Sequence, residues 1–593
     1  MLNHTGTHSF SEYKNMVTLA LDQDLSMITK GLTATLQGAL NTESNYTETR
    51  YIMPDLYAAV GRATSGELQL VRKVNSAAAT YSNKTYFWRK YHFEGKLNYD
   101  RLFAEDHRIG GLLYYYMSDA QNNNVTTSMA AIPVRYQGLS ARLTYGYKDT
   151  YMIDLNFGYT GSENFEPGKQ FGFFPSVALG WVFTNYDFMK NKVPWLNFAK
   201  IRASYGTAGN DRISNTRFPY LTLVNSEAES GWGSNTGGLI ESVIGANNLG
   251  WERALKTDIG LDVRMLNDKV SFTVDYFNDL REGIFQQRTQ IPEFAGTITM
   301  PYGNVGRMRS YGSDGNISYS DNIGKDISYT IRGNFTYSTN FVDEWEQAYP
   351  KYGYQEIANN PYNITRGYIA LGLFKDEQDV NSSPKQFGTV RPGDIKYKDV
   401  NGDGIIDTDD KVPISYSRFP RLMYGFGGEF KWKNWTLAVM FKGTGRTDIY
   451  HVGDGYNMGY MPFEGNKTGN VLKIVGNQNN RWTPASYSGD PSTENPNARF
   501  PRLTYGHNEN NTQLSTFWHD NARYLRLEEL SLTYNWVPKK LAFLGVKSID
   551  LQFVGYNLAV WDEVKLFDPE QAYANGTAYP IPRRFAFQMY LNF

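Results

Sequence analysis

The sequence predicts an all-β chain, an antiparallel transmembrane β-barrel of about sixteen strands, and three observations predict it. Aromatic residues make up 15% of the 593 residues, with 44 Tyr and 12 Trp, yet hydrophobic residues reach only 41% and mean hydropathy is -0.51. A polar average with surplus Tyr suits a wall that has one apolar face, one watered face and aromatic girdles at both membrane boundaries. Apolar and polar residues alternate along many segments, the period of a strand whose two faces meet different solvents. No run of about 18 apolar residues occurs, so strands are the elements able to cross a bilayer.

Strands are expected near 14–25, 31–44, 84–101, 105–120, 134–147, 150–162, 171–185, 197–207, 254–266, 269–284, 303–321, 325–341, 421–433, 435–446, 523–537 and 546–560, with a terminal strand at 582–593. The clearest hairpin has Leu139, Ala141, Leu143, Tyr145 and Tyr147 alternating with Ser140, Arg142, Thr144, Gly146 and Lys148. After a tight Lys148-Asp149-Thr150 turn come Tyr151, Ile153, Leu155, Phe157 and Tyr159, alternating with Met152, Asp154, Asn156, Gly158 and Thr160. A second hairpin places Ile259, Leu261, Val263 and Met265 before Asn267-Asp268, and Val270, Phe272, Val274 and Tyr276 after it. Asp258, Asp262, Arg264 and Asp275 then fall on the opposite, watered face.

Short connections at 266–268, 321–325 and 433–435 contrast with long ones at 208–250, 343–395 and 448–522. Brief periplasmic turns and extended extracellular loops give that asymmetry. At Glu528-Glu529 the apolar phase changes between Leu525/Leu527 and Leu530/Leu532, which reads as a β-bulge carrying lumen-facing charge. The chain ends in Phe585, Phe587, Met589, Leu591 and Phe593 alternating with Ala586, Gln588, Tyr590 and Asn592, an amphipathic strand closing on an aromatic residue.

Composition also excludes functions. The net charge of -1 argues against broad capture of nucleic acid, which needs a basic face. Cysteine is absent, removing disulfides and thiolate chemistry. The His residues at 4, 8, 92, 107, 451, 507 and 519 show no metal-ligand spacing, and neither GxSxG nor a phosphate-binding loop is found, so no enzyme activity is expected. The opening residues lack the basic start, apolar core and cleavage site of a secretory leader, so the chain is expected to begin inside a longer reading frame.

One local motif points to an ion. Asp399-Val400-Asn401-Gly402-Asp403-Gly404-Ile405-Ile406-Asp407-Thr408-Asp409-Asp410 reproduces the spacing of an EF-hand-type calcium loop, within a predicted extracellular loop. Asp399, Asn401, Asp403, the Ile405 carbonyl, Asp407 and Asp410 are the expected ligands of a structural Ca2+. The other reading is an Asx-rich turn that satisfies its own backbone. Trp232, Trp345, Tyr456, Tyr460, Trp482 and Trp518 lie in long loops among Asn, Asp and Gly, where rings can stack on sugar faces. Each can equally pack a loop or sit in the membrane girdle.

Several phrases resemble the SusC/RagA family of TonB-dependent transporters. These are Phe171-Gly172-Phe173-Phe174-Pro175-Ser176 through Gly180-Trp181, Lys200-Ile201-Arg202-Ala203-Ser204-Tyr205-Gly206 through Gly209-Asn210, and Asn248-Leu249-Gly250-Trp251-Glu252. Tyr524-Leu525-Arg526-Leu527, Tyr556-Asn557-Leu558, Asp568-Pro569-Glu570 and Tyr579-Pro580 follow in the family's order. The match runs from about residue 134 to 593, and residues 1–133 fit as earlier barrel strands. The resemblance implies a 22-stranded barrel around a plug, of which this chain would be a partial barrel lacking leader, plug and first strands. It further implies import of an oligosaccharide or peptide across the outer membrane, a SusD-like surface lipoprotein as partner, and energy from the TonB complex through the missing plug. A passive porin complete at sixteen or so strands is the alternative from a different class, and a soluble carbohydrate-binding β-protein is a third.

Overall fold

In a computed structural model the structure describes residues 5–212, 217–227, 238–246, 248–292, 294, 299–451, 471–538, 545–564, 566–574 and 579–593. Seventeen strands share one sheet. They are β1 (Gly6–Asp24), β2 (Leu32–Met53), β3 (Ala77–Phe103), β4 (His107–Asn122), β5 (Val134–Tyr147), β6 (Tyr151–Ser162), β7 (Phe171–Val182), β8 (Leu196–Asn210) and β9 (Glu252–Met265). The series continues with β10 (Val270–Gln287), β11 (Tyr302–Ile323), β12 (Ile327–Glu344), β13 (Leu422–Trp432), β14 (Trp435–Thr444), β15 (Tyr524–Trp536), β16 (Ser548–Asp562) and β17 (Arg584–Asn592). No described helix is long and apolar enough to cross a membrane.

The chain divides into two compact units: Met1–Leu179 with Tyr205–Arg253 and Glu293–Asn304, and Gly180–Ser204 with Ala254–Pro292 and Val305–Phe593. In the first, β1 to β6 pair in sequence, each antiparallel to the next. In the second, β11 to β17 do the same. Such a meander needs only turns between neighbours. Two of its turns are three residues long and left-handed at their first two positions, Ala104 and Glu105 (φ 48° and 63°) and Lys148 and Asp149 (φ 50° and 47°). That geometry matches the right-handed twist of the flanking strands, and here it overrides the usual preference for Asn and Gly. Adjacent short turns are stitched together: Lys148 N–H donates to the Asp106 carbonyl, and Lys433 N–H to that of Asp326.

Every strand expected from the pattern is present. The differences lie at the loop ends, where β1 starts at Gly6, β2 runs to Met53 and β3 starts at Ala77. Asn45 to Arg50, beyond the expected strand end at 44, pair in register with both β1 and β3 but carry mostly polar residues on both faces. Alternation marks a strand only where its two faces meet different solvents, so these extensions leave no period-2 signal. The expected bulge is observed: Met440 pairs with Glu529 and Phe441 with Leu527, leaving Glu528 as the extra residue, with Lys442 3.0 Å from its carboxylate. Gly260 clears a different space. A Cβ there would lie 2.3 Å from Asp275 and 2.5 Å from Arg202, so its absence admits the Arg202 guanidinium, which meets Asp275 at 2.6 Å, Asp262 at 3.1 Å and Asp258 at 3.4 Å.

Candidate functional site

The long connections 345–421 and 445–523 meet in a loop body with a core of its own in the second unit. Tyr368, Leu373, Ile395, Tyr397, Ile406, Val475, Trp482, Phe500 and Trp518 are buried together. Short ribbons frame the core: Arg366–Gly367 with Val412–Pro413, Ala370–Leu373 with Ile395–Tyr397, and Asp448–Tyr450 with His519–Asn521. Asp394, fully buried, ties the body together. It accepts from Arg502 at 2.9 Å, Asn508 at 3.1 Å, Asn511 at 2.9 Å and the Arg391 amide at 2.8 Å. A buried carboxylate is tolerated only when so fully satisfied.

The 399–410 segment hangs from this core by Ile406, which is buried while its neighbour Ile405 is 47% exposed. Asp399 accepts from the Gly402 amide at 2.6 Å and the Gly404 amide at 2.8 Å, Asp403 from Ile405 at 2.9 Å, and Asp407 from Asp409 at 2.8 Å. Asp410 turns inward and accepts from Val400 at 2.7 Å and Asp407 at 3.0 Å. Gly402 and Gly404 both have positive φ, 79° and 84°, which the tight winding requires. The residue types and their order fit a hard cation. Among the described residues, however, no three His, Asp or Glu side chains converge as a metal centre, and these carboxylates spend contacts on the loop's own amides. Asp409 points elsewhere: Lys351, 2.5 Å away, holds its carboxyl below the usual range.

The aromatic candidates separate. Trp482 and Trp518 are core residues, 6% and 2% exposed; Trp482 covers Gly393, where a Cβ would lie 2.4 Å from the indole, and Trp518 donates Nε1–H to the Asn511 carbonyl at 3.0 Å. Their ring faces are occupied by packing. Trp345 is half-buried and tilted on Tyr362 with ring centres 5.5 Å apart. Trp232, Tyr456 and Tyr460 lie outside the described residues. Beside Tyr362 is a polar cavity of 90 Å³ lined by Ser310, Ser338 and Asn340 of β11 and β12 and by Asn363, Arg418 and Arg421 of the loop.

Two arrangements gave no signal in the sequence. In the ribbon Asp448–Tyr450 with His519–Asn521, His451 meets Asp520 at 2.6 Å and His519 meets Asp448 at 2.7 Å. Burial raises the Asp448 carboxyl, but His519 and the amides of Tyr416 and Ser417 outweigh it and hold the group below its ordinary value. Asp520 behaves likewise under His451 and Arg499. The second is a clamp. Arg526 of β15, its side chain 2% exposed, meets Asp568 at 2.6 Å and Glu570 at 2.8 Å; Tyr524 donates to Glu570 at 2.8 Å, and Lys442 of β14 lies 3.0 Å from the same carboxylate. Two phrases distant in sequence, Tyr524-Leu525-Arg526-Leu527 and Asp568-Pro569-Glu570, are thus one contact.

In the first unit three more phrases converge. Phe174 of β7 and Phe165 pack on Trp251, with ring centres 5.3 and 5.2 Å away, and a Cβ at Gly209 would strike the Phe174 ring at 2.0 Å. Asn210 donates to Glu252 at 2.7 Å, and Trp251 Nε1–H to the Gln170 carbonyl at 3.2 Å. The repeated wording of the sequence is therefore the wording of a packed knot at the loop end of the strands.

A family model described as "TonB dependent receptor-like, beta-barrel" matches residues 3–558. The chain belongs to the TonB-dependent receptor family. This receptor barrel is 27% identical over 502 residues to TonB-dependent receptor P26 of Formosa agariphila, covering 80% of this chain and 48% of that protein. It is 24% identical over 468 residues to TonB-dependent receptor SusC of Bacteroides thetaiotaomicron, covering 76% of this chain and 43% of that protein. The chain thus spans about half the length of these relatives. Among solved structures, the RagAB peptide importer in its open-open state superimposes with a TM-score of 0.73 at 19% identity, over 99% of this chain and 62% of that one, a likeness of fold. The barrel is an outer-membrane protein of SusC/RagA type, related to receptors and transporters.

Proposed function

We propose that the chain supplies the wall and surface loops of a transporter that imports a large nutrient by TonB-dependent active transport, with a SusD-like lipoprotein closing its outer mouth. The observation that carries this reading is the loop body: two long connections on one end of the sheet hold a separately cored assembly. A passive pore has no need of such an assembly, and a captured polymer would need a surface of that size. Oligosaccharide is the favoured cargo, through stacking on Trp345 and hydrogen bonds from the hydroxyls, amides and Arg418 and Arg421 of the neighbouring cavity. Peptide is the second reading, favoured by the fold shared with a peptide importer. Uptake of labelled oligosaccharides and peptides by cells with and without the gene, before and after collapse of the proton gradient, tests it. Gradient-dependent uptake lost with the gene is the expected result; uptake indifferent to the gradient favours a passive pore.

The loop 399–410 is proposed to hold a structural Ca2+ through Asp399, Asn401, Asp403, the Ile405 carbonyl, Asp407 and Asp410. Each carboxylate oxygen that accepts one amide keeps a second lone pair for the ion. Calorimetry at millimolar Ca2+ is expected to show heat that Asp399→Ala abolishes. No heat from the unaltered protein would remove the ion from this picture.

A further inference from the structure

The polar cavity of 90 Å³ beside Tyr362 carries a one-sided charge. Arg418 and Arg421, from the segment that leads into β13, both line it, and among the described residues no Asp or Glu does. Arginines elsewhere in the loop body are neutralised at short range: Arg499 meets Asp520 at 2.5 Å, Arg502 meets Asp394 at 2.9 Å and Arg526 meets Asp568 at 2.6 Å. The two cavity arginines have no such partner among the described residues. Arg418 is exposed. Arg421 is held without a carboxylate, its guanidinium 3.9 Å from the centre of the Tyr416 ring and its Nη2 donating to the Tyr416 carbonyl at 2.8 Å. Asp448 accepts from the amides of Tyr416 and Ser417, but its side chain is fully buried and engaged by His519 and Arg446, so it does not line the cavity.

The registers place the cavity on the inner side of the wall. Ser310 of β11 is opposed to Asn340 of β12, so the two share a face, with Ser338 two residues along the strand. Tyr311, Phe335, Tyr337 and Phe341 stand on the other face, each 36–39% exposed, as residues against lipid do. From Ile327, at the short-turn end of β12, to Asn340 the chain climbs roughly 33 Å, at about 3.3 Å per residue and a tilt of about 40°. The apolar band is only about 25 Å tall. The cavity thus lies beyond it, at the long-loop end from which cargo arrives in the import reading.

Size and surroundings narrow the ligand. A volume of 90 Å³ equals about three waters, room for one charged substituent and too little for a sugar ring. The ring has a platform at the rim, where Tyr362 is 41% exposed beside Trp345 and Phe419 is 70% exposed. Planar guanidinium groups match paired oxygens, and Ser310, Ser338 and Asn363 add polar contacts around them.

We propose that this cavity receives an anionic substituent, a uronate carboxylate or a sulfate ester, of an oligosaccharide whose ring lies against Tyr362 and Phe419. The proposal rests on the import reading above and narrows its cargo to acidic glycans.

Glycan retention by the natural gene product, purified from the outer membrane in mild detergent together with any lipoprotein that accompanies it, tests this on matched pairs. Oligogalacturonates are set against their methyl esters, sulfated galactan oligosaccharides against their desulfated forms, and hexaglutamate against hexaglutamine. At least one acidic glycan is expected to be held about tenfold more tightly than its neutral form, and the two glycan arms tell carboxylate from sulfate. Arg418→Gln is expected to remove most of that gap, and Arg418→Lys, which keeps the charge and loses the fork, to restore part of it. Ser338→Asp puts a carboxylate into the cavity and is expected to abolish the acid preference from a second element. Equal retention within both glycan pairs, no retention of any acidic glycan, a charge preference confined to the peptides, or a preference unmoved in both folded variants each overturns the proposal. The import reading fails separately: uptake of the retained acidic glycan that ignores the proton gradient removes active transport and leaves the cavity assignment standing.

Discussion

The wall and the loop body use the same residue types in opposite ways. In the wall Phe93, Leu143, Phe157 and Phe335 are exposed and charged groups such as Arg202 and Asp275 pair across the other face; in the loop body Tyr397, Phe500 and Trp518 are buried. One region is solvated by hydrocarbon on one face, the other by water on every side. An exposed aromatic therefore carries no single meaning in this chain, and its neighbours decide which solvent it faces. The two regions should fail separately.

The largest effects are expected where each region's own rule is broken. Trp518→Ala empties the loop core and should cost the loop body about 3–5 kcal/mol. Hydrogen exchange across 366–521 should rise while the strands keep their protection. Arg526→Met leaves Asp568 and Glu570 without their buried cation and should cost about 3–5 kcal/mol; loosening of 563–574 in limited proteolysis is the measurement. Leu155→Arg puts a cation near the middle of the apolar band and should cost about 2–4 kcal/mol in refolding into lipid vesicles, with the loop body unaffected. If Trp518→Ala and Leu155→Arg each loosen both regions, the separation is wrong.

Acid should act on the loop body before the wall. Asp448 and Asp520 sit below their ordinary pKa when folded, so their contribution is complete above the unfolded carboxylate range and is lost as pH falls through the folded values. Exchange in the Asp448–Tyr450 and His519–Asn521 ribbon should rise below about pH 4, and Asp448→Asn should flatten that response. The smallest effect is expected at Tyr349, 99% exposed, where Ala should change stability by less than about 0.5 kcal/mol.

The wall was legible in the sequence because its two faces differ at every second residue, and the hairpin at 134–162 could be placed almost to the residue. Above the bilayer that contrast vanishes, and Asn45 to Arg50 read as polar chain although they are strand. The loop core was not legible. Trp482 and Trp518 sit among Asn, Pro and Ser, and only contacts between two long connections bury them. Arg526 and Asp568 stand in separate phrases whose pairing no spacing reveals. The order of ligand types in 399–410 is plain in sequence, whereas the direction of each carboxylate is a property of the folded loop.

The Arg526 clamp also bears on the order of events in folding. The connection between β16 and β17 is held at Asp568 and Glu570 against β15, so the terminal strand searches for its partner from a tether anchored midway. Loop-closure entropy grows only slowly with length, so the thermodynamic gain is small. With the clamp formed, residues 584–592 are joined to the β15–β16 hairpin only by the short segment after Glu570, which confines their search to that neighbourhood.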